Sequence, residues 1–204
     1  MKRYNLFRLP APLTLVMLLV STIAFAQKTT TQHLSFKGVP INGTLLDYVA
    51  KMNQNGFTHV ATKDGTAILK GDFASYKSCV VGVSTLKQKD LVYQIAVVFP
   101  DRETWSTLFG NYNTLKELLT EKYGKPFKVV EKFDDDQYNG DGDDGNKMYE
   151  VKFDRYKYYT IWQTEQGDIE VSIEHNSVTS CFVKLAYIDK INGAIIRAKA
   201  KDDL

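Results

Sequence analysis

Residues 101–126 read DRETWSTLFGNYNTLKELLTEKYGKP. Within them Trp105, Leu108, Phe109, Tyr112, Leu115, Leu119 and Tyr123 recur mostly at spacings of three and four, which is the apolar face of a helix. Asp101 follows Pro100 and is placed to cap the first turn. Gly124 supplies a left-handed stop and Pro126 prevents continuation, so the spacing predicts a helix over 101–123. On both sides the apolar period falls from 3.6 to two: "LVYQIAVVF" ends just before the helix and "PFKVVEKF" begins just after it. A single helix set between runs of strands decides the fold class as α+β. A parallel, doubly wound sheet would need helices and strands to alternate one for one.

The same order appears earlier in the chain. Leu45, Leu46, Val49 and Met52 mark a helix over 44–55. Thr44 with Asp47 resembles a capping box, and Asn55-Gly56 is the stop. Four strand-like runs follow, "FTHVAT", "TAILKGDFA", "KSCVVGVS" and "LVYQIAVVF", with Asp64-Gly65 as a two-residue hairpin turn. After the second helix come "PFKVVEKF", "KMYEVKFDRYKYYTIWQ", "DIEVSIEH" and "SCFVKLAYI", punctuated at Gln166-Gly167 and Asn176-Ser177. The expectation is two helix-plus-four-stranded antiparallel halves, 43–100 and 101–189. Together they form one curved sheet of about eight strands with the helices packed on one face. Residues 27–42 are an N-terminal segment and 190–204 a C-terminal tail.

Residues 1–26 read as an export signal. Lys2, Arg3 and Arg8 form a basic start, the stretch from Leu13 to Phe25 is apolar but short for a span, and Ala24-Phe25-Ala26 is a cleavage pattern that leaves Gln27 first. Cleavage would leave 178 residues with 23 basic and 24 acidic side chains, a net charge of −1. Such a chain has no electrostatic reason to bind nucleic acid. No later segment reads as a stable membrane insertion, so the location expected is periplasmic or secreted. Asn42-Gly43-Thr44 has the form of a glycosylation site and Lys201-Asp202-Asp203-Leu204 approaches a retrieval signal. In an exported bacterial chain neither is expected to act.

Two features invite a ligand. Residues 133–150, FDDDQYNGDGDDGNKMYE, fall between two strands and read first as a lengthened hairpin loop over 134–146. Asp134, Asp136, Asp141, Asp143 and Asp144 are the candidates for a weak calcium site, although no register places the Gly and Glu of an EF-hand together. No other cofactor is implied. Tyr149, Phe153, Tyr156, Tyr158, Tyr159 and Trp162 then crowd into one expected strand. Alternation sends Tyr156, Tyr158 and Trp162 to one face, Tyr159 and Ile161 to the other. Tyr149, Tyr156, Tyr158 and Trp162 are the candidates for a surface that meets another envelope or extracellular protein. A carbohydrate or peptide ligand is the second reading, and cross-strand packing the structural alternative.

Cys79 and Cys181 admit a disulfide or two buried thiols. Catalytic patterns are missing. His33, His59 and His175 are scattered, outside any HExxH or CxxC frame, and Gly82-Val83-Ser84-Thr85-Leu86 lacks the second glycine of a nucleophile elbow. The chemistry therefore favours binding over catalysis, with an unrecognised enzyme site as a further alternative.

The segments "FKGVPINGTLLDYVAKMNQNGF", "LKGDFASYKSC" and "WSTLFGNYNTLKELLTEKYGKP" resemble a group of exported Bacteroidetes proteins that carries no assigned activity. The doubled helix-plus-four-strand order is also similar to β-lactamase inhibitory protein, and that likeness implies a sheet face that binds another protein.

Overall fold

The computed structural model describes Met1 and residues 32–86, 89–138 and 142–202. The expected export signal lies outside the described residues except for Met1. In chain order the elements are β1 (Ser35–Phe36), β2 (Val39–Pro40), α1 (Leu45–Gln54), β3 (Thr58–Lys63), β4 (Thr66–Phe73), β5 (Tyr76–Leu86) and β6 (Leu91–Val98). Next come α2 (Trp105–Tyr123), β7 (Lys128–Phe133), a 3-10 turn (Asp136–Tyr138) and α3 (Asp144–Lys152). The chain ends with β8 (Tyr156–Gln163), β9 (Gly167–His175), β10 (Cys181–Asp189) and α4 (Lys190–Asp202).

The fold is α+β, an open eight-stranded antiparallel sheet in the order β3-β4-β5-β6-β10-β9-β8-β7. Each half is a meander, and the last strands of the two halves pair at the centre, with Ala96 opposite Ala186. That central seam gives both β6 and β10 a second neighbour and leaves β3 and β7 as edges. Asp64 and Gly65 both take positive φ, 50° and 77°, as a two-residue turn between twisted strands requires.

Helix α1 starts where expected, with Thr44 Oγ1 accepting from Asp47 N at 3.2 Å. Helix α2 starts later than Asp101. Its cap is Thr104, whose hydroxyl accepts from Thr107 N, while Asp101 accepts from Ser180 Oγ at 2.8 Å. Trp105, Leu108, Tyr112, Leu115 and Leu119 of α2 are buried. Each such side chain contributes about 1.5–3 kcal/mol by leaving water.

Three expectations need correction. The acidic stretch is not a simple hairpin loop, because α3 forms within it and extends to Lys152. Asp143 caps α3, accepting from Asn146 N, and Met148 and Val151 are buried. The long aromatic strand therefore begins only at Tyr156, and Tyr149 lies on a helix. The tail 190–204 also carries structure. Asp189 accepts from Asn192 N at 2.8 Å and starts α4, whose buried Asn192 side chain donates to Val92 O and Ile41 O.

Finally, Tyr158 and Trp162 do not form a surface. Trp162 is 1% exposed and Tyr158 8%, because their face of β8 is the one the helices cover. Trp162 Nε1 donates to Gly124 O at 3.1 Å, so the indole fastens the end of α2 to the sheet. Tyr158 meets Trp105 edge-on at 4.9 Å and also contacts Phe133. Burial pushes its hydroxyl up to about 12.

Candidate functional site

Helices α1 and α2 and the β1–β2 hairpin lie over one face of the sheet. The other face is built from the alternate side chains, and strand register orders them into rows that cross the strands. The middle row runs Ile68, Gly82, Ala96, Ala186, Glu170, Ile161 and Lys128. On one side stands the row Lys70, Val80, Val98, Lys184, Ser172 and Tyr159. On the other stand Ser84, Gln94, Ile188, Asp168 and Gln163. Ala186 and Ser172 are buried beneath longer neighbours, but Ile68, Val80, Val98, Tyr159 and Ile161 stay half-exposed. Among the described residues only α4 approaches this side, where the Gly193 position lies near Ile188 Cγ2.

The charges on this face are ordered too. Strand β9 presents Asp168, Glu170 and Glu174. Glu174 accepts from Lys184 Nζ at 2.7 Å and from Ser172 Oγ at 2.9 Å. Lys128 Nζ lies 5.2 Å from the centre of the Tyr159 ring, a cation–π contact. Glu170 differs from Glu174: no hydrogen bond or ion pair engages its carboxylate among the described residues. Burial pushes its pKa above the ordinary carboxylate range, opposed by Lys184 and assisted by Glu174. Ile161 and Ala186 flank this carboxylate along its row.

The residues singled out from sequence fall elsewhere. Tyr156 is half-buried on the helix side, and its hydroxyl donates to Ile173 O at 3.1 Å. Tyr149 is exposed and packs on Phe153 with ring centres 4.3 Å apart. Arg155 lies over both rings and donates to Glu150 at 2.9 Å. These groups border a cleft of about 470 Å³ lined by Asp134, Asp135, Tyr138, Asn146, Tyr149, Glu150 and Arg155. Of the calcium candidates, Asp144 is spent on the start of α2, accepting from Trp105 N at 3.0 Å and Ser106 N at 2.7 Å. Asp143 caps α3, and Asp141 lies outside the described residues. No group of three or more His, Cys, Asp or Glu that could hold a metal ion forms among the described residues.

Cys79 and Cys181 are buried free thiols. Strand β6 stands between their strands, which separates them by about two interstrand spacings, roughly 9–10 Å, beyond the reach of a disulfide. Burial raises both thiol pKa values, contrary to what a nucleophile needs. His33 meets buried Asp189 at 3.1 Å, His59 meets Thr62 at 2.9 Å, and His175 joins Asp154 to the Ser177 carbonyl. No helix among the described residues is long and apolar enough to cross a membrane.

The rows on the open face were only half legible in the sequence. Alternation along β9 puts Asp168, Glu170 and Glu174 on one side, but the alignment of Ala96 with Ala186 needs a pairing between strands distant in sequence. The chain matches no family model, no curated protein and no solved structure. The two likenesses, one drawn from sequence segments and one from the order of elements, therefore bring no residue role with them.

Proposed function

We propose that the protein is an exported, non-catalytic binding protein that holds another envelope or extracellular protein against the open face of its sheet. The observation that carries this reading is the row structure of that face. Half-buried Ile68, Val80, Val98, Tyr159 and Ile161 stand in register around small central residues, while α1 and α2 lie on the opposite side. Half-buried apolar side chains in register on a rigid sheet suit a partner that completes their burial.

The test is paired substitution. Val98→Asp with Ile161→Asp charges the open face without touching the core, and Leu118→Asp does the same on the outer side of α2, where Leu118 is exposed. Capture of a specific protein from the envelope or medium of the producing cells should be lost in the first variant and kept in the second, with equal melting temperatures. Capture that survives on the charged sheet, or fails only on the charged helix, contradicts the reading.

A further inference from the structure

We propose a second site, apart from the docking face. A cavity between α4 and the turn joining β8 to β9 takes a small zwitterion of the α-amino-acid type, with its carboxylate on Arg197 and Lys190 and its ammonium on Asp168.

The cavity holds about 300 Å³, at the lower end of the roughly 300–1,000 Å³ of small-ligand pockets. Its walls are fixed by local sequence. Thr164 Oγ1 donates to Gly167 O at 2.8 Å and accepts from the N–H groups of Gln166 and Gly167 at 3.2 and 3.1 Å, which holds the β8–β9 turn in one shape. Gly167 is buried, and a Cβ there would overlap Ile188 O, so glycine lets the turn lie close to β10. Lys190 N donates to Gln166 O at 2.9 Å, which anchors the start of α4 to the same turn. Along α4, Lys190, Gly193 and Arg197 follow at spacings of three and four and share one helix face. The buried glycine between the two cations brings no side chain into the space between them.

The cavity is lined by charges of both signs. Lys190 and Arg197 come from α4 and Asp168 from β9, and none of the three makes a side-chain hydrogen bond or ion pair among the described residues. Asp189 also borders the cavity, but its oxygens are taken up by Leu34 N, Asn192 N and His33. Glu165, in the adjoining turn, has a contact of its own. Lys70, Lys128, Lys184 and Glu170 of the open face lie outside the lining. A phosphate or a simple carboxylate would suit the two cations but meet repulsion from Asp168, and a simple amine would do the reverse. A molecule with both charges on one carbon satisfies both signs. Its carboxylate accepts two N–H groups from the Arg197 fork. Its ammonium has three protons for Asp168 and for the amide oxygen of Gln163, which lines the same cavity.

The test titrates L-alanine, L-glutamate and L-lysine, each to millimolar concentration, into the purified protein and follows the backbone NMR signals of Gly167 and Gly193. Propionate and ethylamine, which each keep one charge of alanine, are the controls. At least one amino acid should shift both signals and bind about tenfold more tightly than either control. Arg197→Gln and Asp168→Asn should each weaken that binding about tenfold, while Lys70→Gln, on β4, should leave it unchanged. Arg197 is exposed and Asp168 half-buried, so neither change removes core packing. Equal binding of propionate or ethylamine overturns the zwitterion assignment, as does an unchanged affinity in Asp168→Asn. Silence at both signals with all three amino acids overturns the site, and none of these results bears on the docking face.

Discussion

Replacing Asp189 by alanine should remove about 4 kcal/mol of stability. The carboxylate is wholly buried at the junction of β10 and α4. Its Oδ2 accepts from Leu34 N at 2.8 Å, and its Oδ1 accepts from Asn192 N at 2.8 Å and meets His33 Nδ1 at 3.1 Å. Asn192 in turn donates to Ile41 O at 3.1 Å and Val92 O at 2.8 Å. Asp189 and Asn192 together thus tie the N-terminal segment, the start of β6 and the C-terminal helix to one another. Alanine leaves two buried backbone N–H groups without an acceptor, each costing about 1–3 kcal/mol. The expected loss is a large share of the roughly 5–15 kcal/mol available to a domain. Melting should fall by about 8–16 °C. Asp189→Asn keeps one acceptor and should lose about half as much. Urea unfolding followed through Trp105 and Trp162 measures both, and Asn192→Ala combined with Asp189→Ala should be clearly non-additive. A loss below about 1 kcal/mol for Asp189→Ala would refute the claim that this junction holds the chain ends.

Trp162→Ala should cost about 3–5 kcal/mol as a core truncation, whereas Tyr159→Ala on the other face of β8 should cost about 1 kcal/mol or less; comparable losses in urea unfolding would contradict their placement on opposite faces. His175 has its pKa raised, first by its hydrogen bond to Asp154 and opposed by desolvation. Its stabilising contribution is therefore full below the unfolded value of about 6.5 and is lost as pH rises through the higher folded value. Melting temperatures should show a stabilising step on going from pH 8 to pH 6 that His175→Gln abolishes, and an unchanged step in that variant would sink the assignment. Glu170 is the opposite case, a carboxyl raised by burial, so its ionised form costs stability at neutral pH and the cost is relieved as acid protonates it. Glu170→Gln should stabilise the free protein at pH 7 and lose that advantage on acidification; a destabilised variant at pH 7 would show that the carboxylate has a partner.

Local rules carried the architecture a long way. Thr44, the Asp64-Gly65 turn, the stop at Gly124 and the change of period after each helix mark both halves, because each is decided within a few residues. Helix α3 was hidden because Tyr149, Val151 and Phe153 have strand preferences. What fixes it as a helix includes a contact made at long range, Asp144 on the backbone of Trp105 and Ser106. In α4 the pair Asn192-Gly193 reads as a turn, yet Asn192 is consumed by carbonyls of two other segments. The aromatic run was legible as an alternating strand. Which of its faces met the helices was settled only by register, and that placed Tyr158 and Trp162 inside and Tyr159 and Ile161 outside. The open face belongs to the same class of information, since its central row crosses seven strands and its two halves meet only through the long-range pairing of Ala96 with Ala186.

The measurement that bears most directly on a partner held by the open face is site-specific photo-crosslinking in the producing cells. A photoreactive side chain at Ile161 samples the open face, and one at Leu118 samples the outer surface of α2. The account predicts one discrete protein adduct from Ile161 and none from Leu118. An adduct from Leu118 alone, or no protein adduct from Ile161 while the variant remains folded, would contradict it.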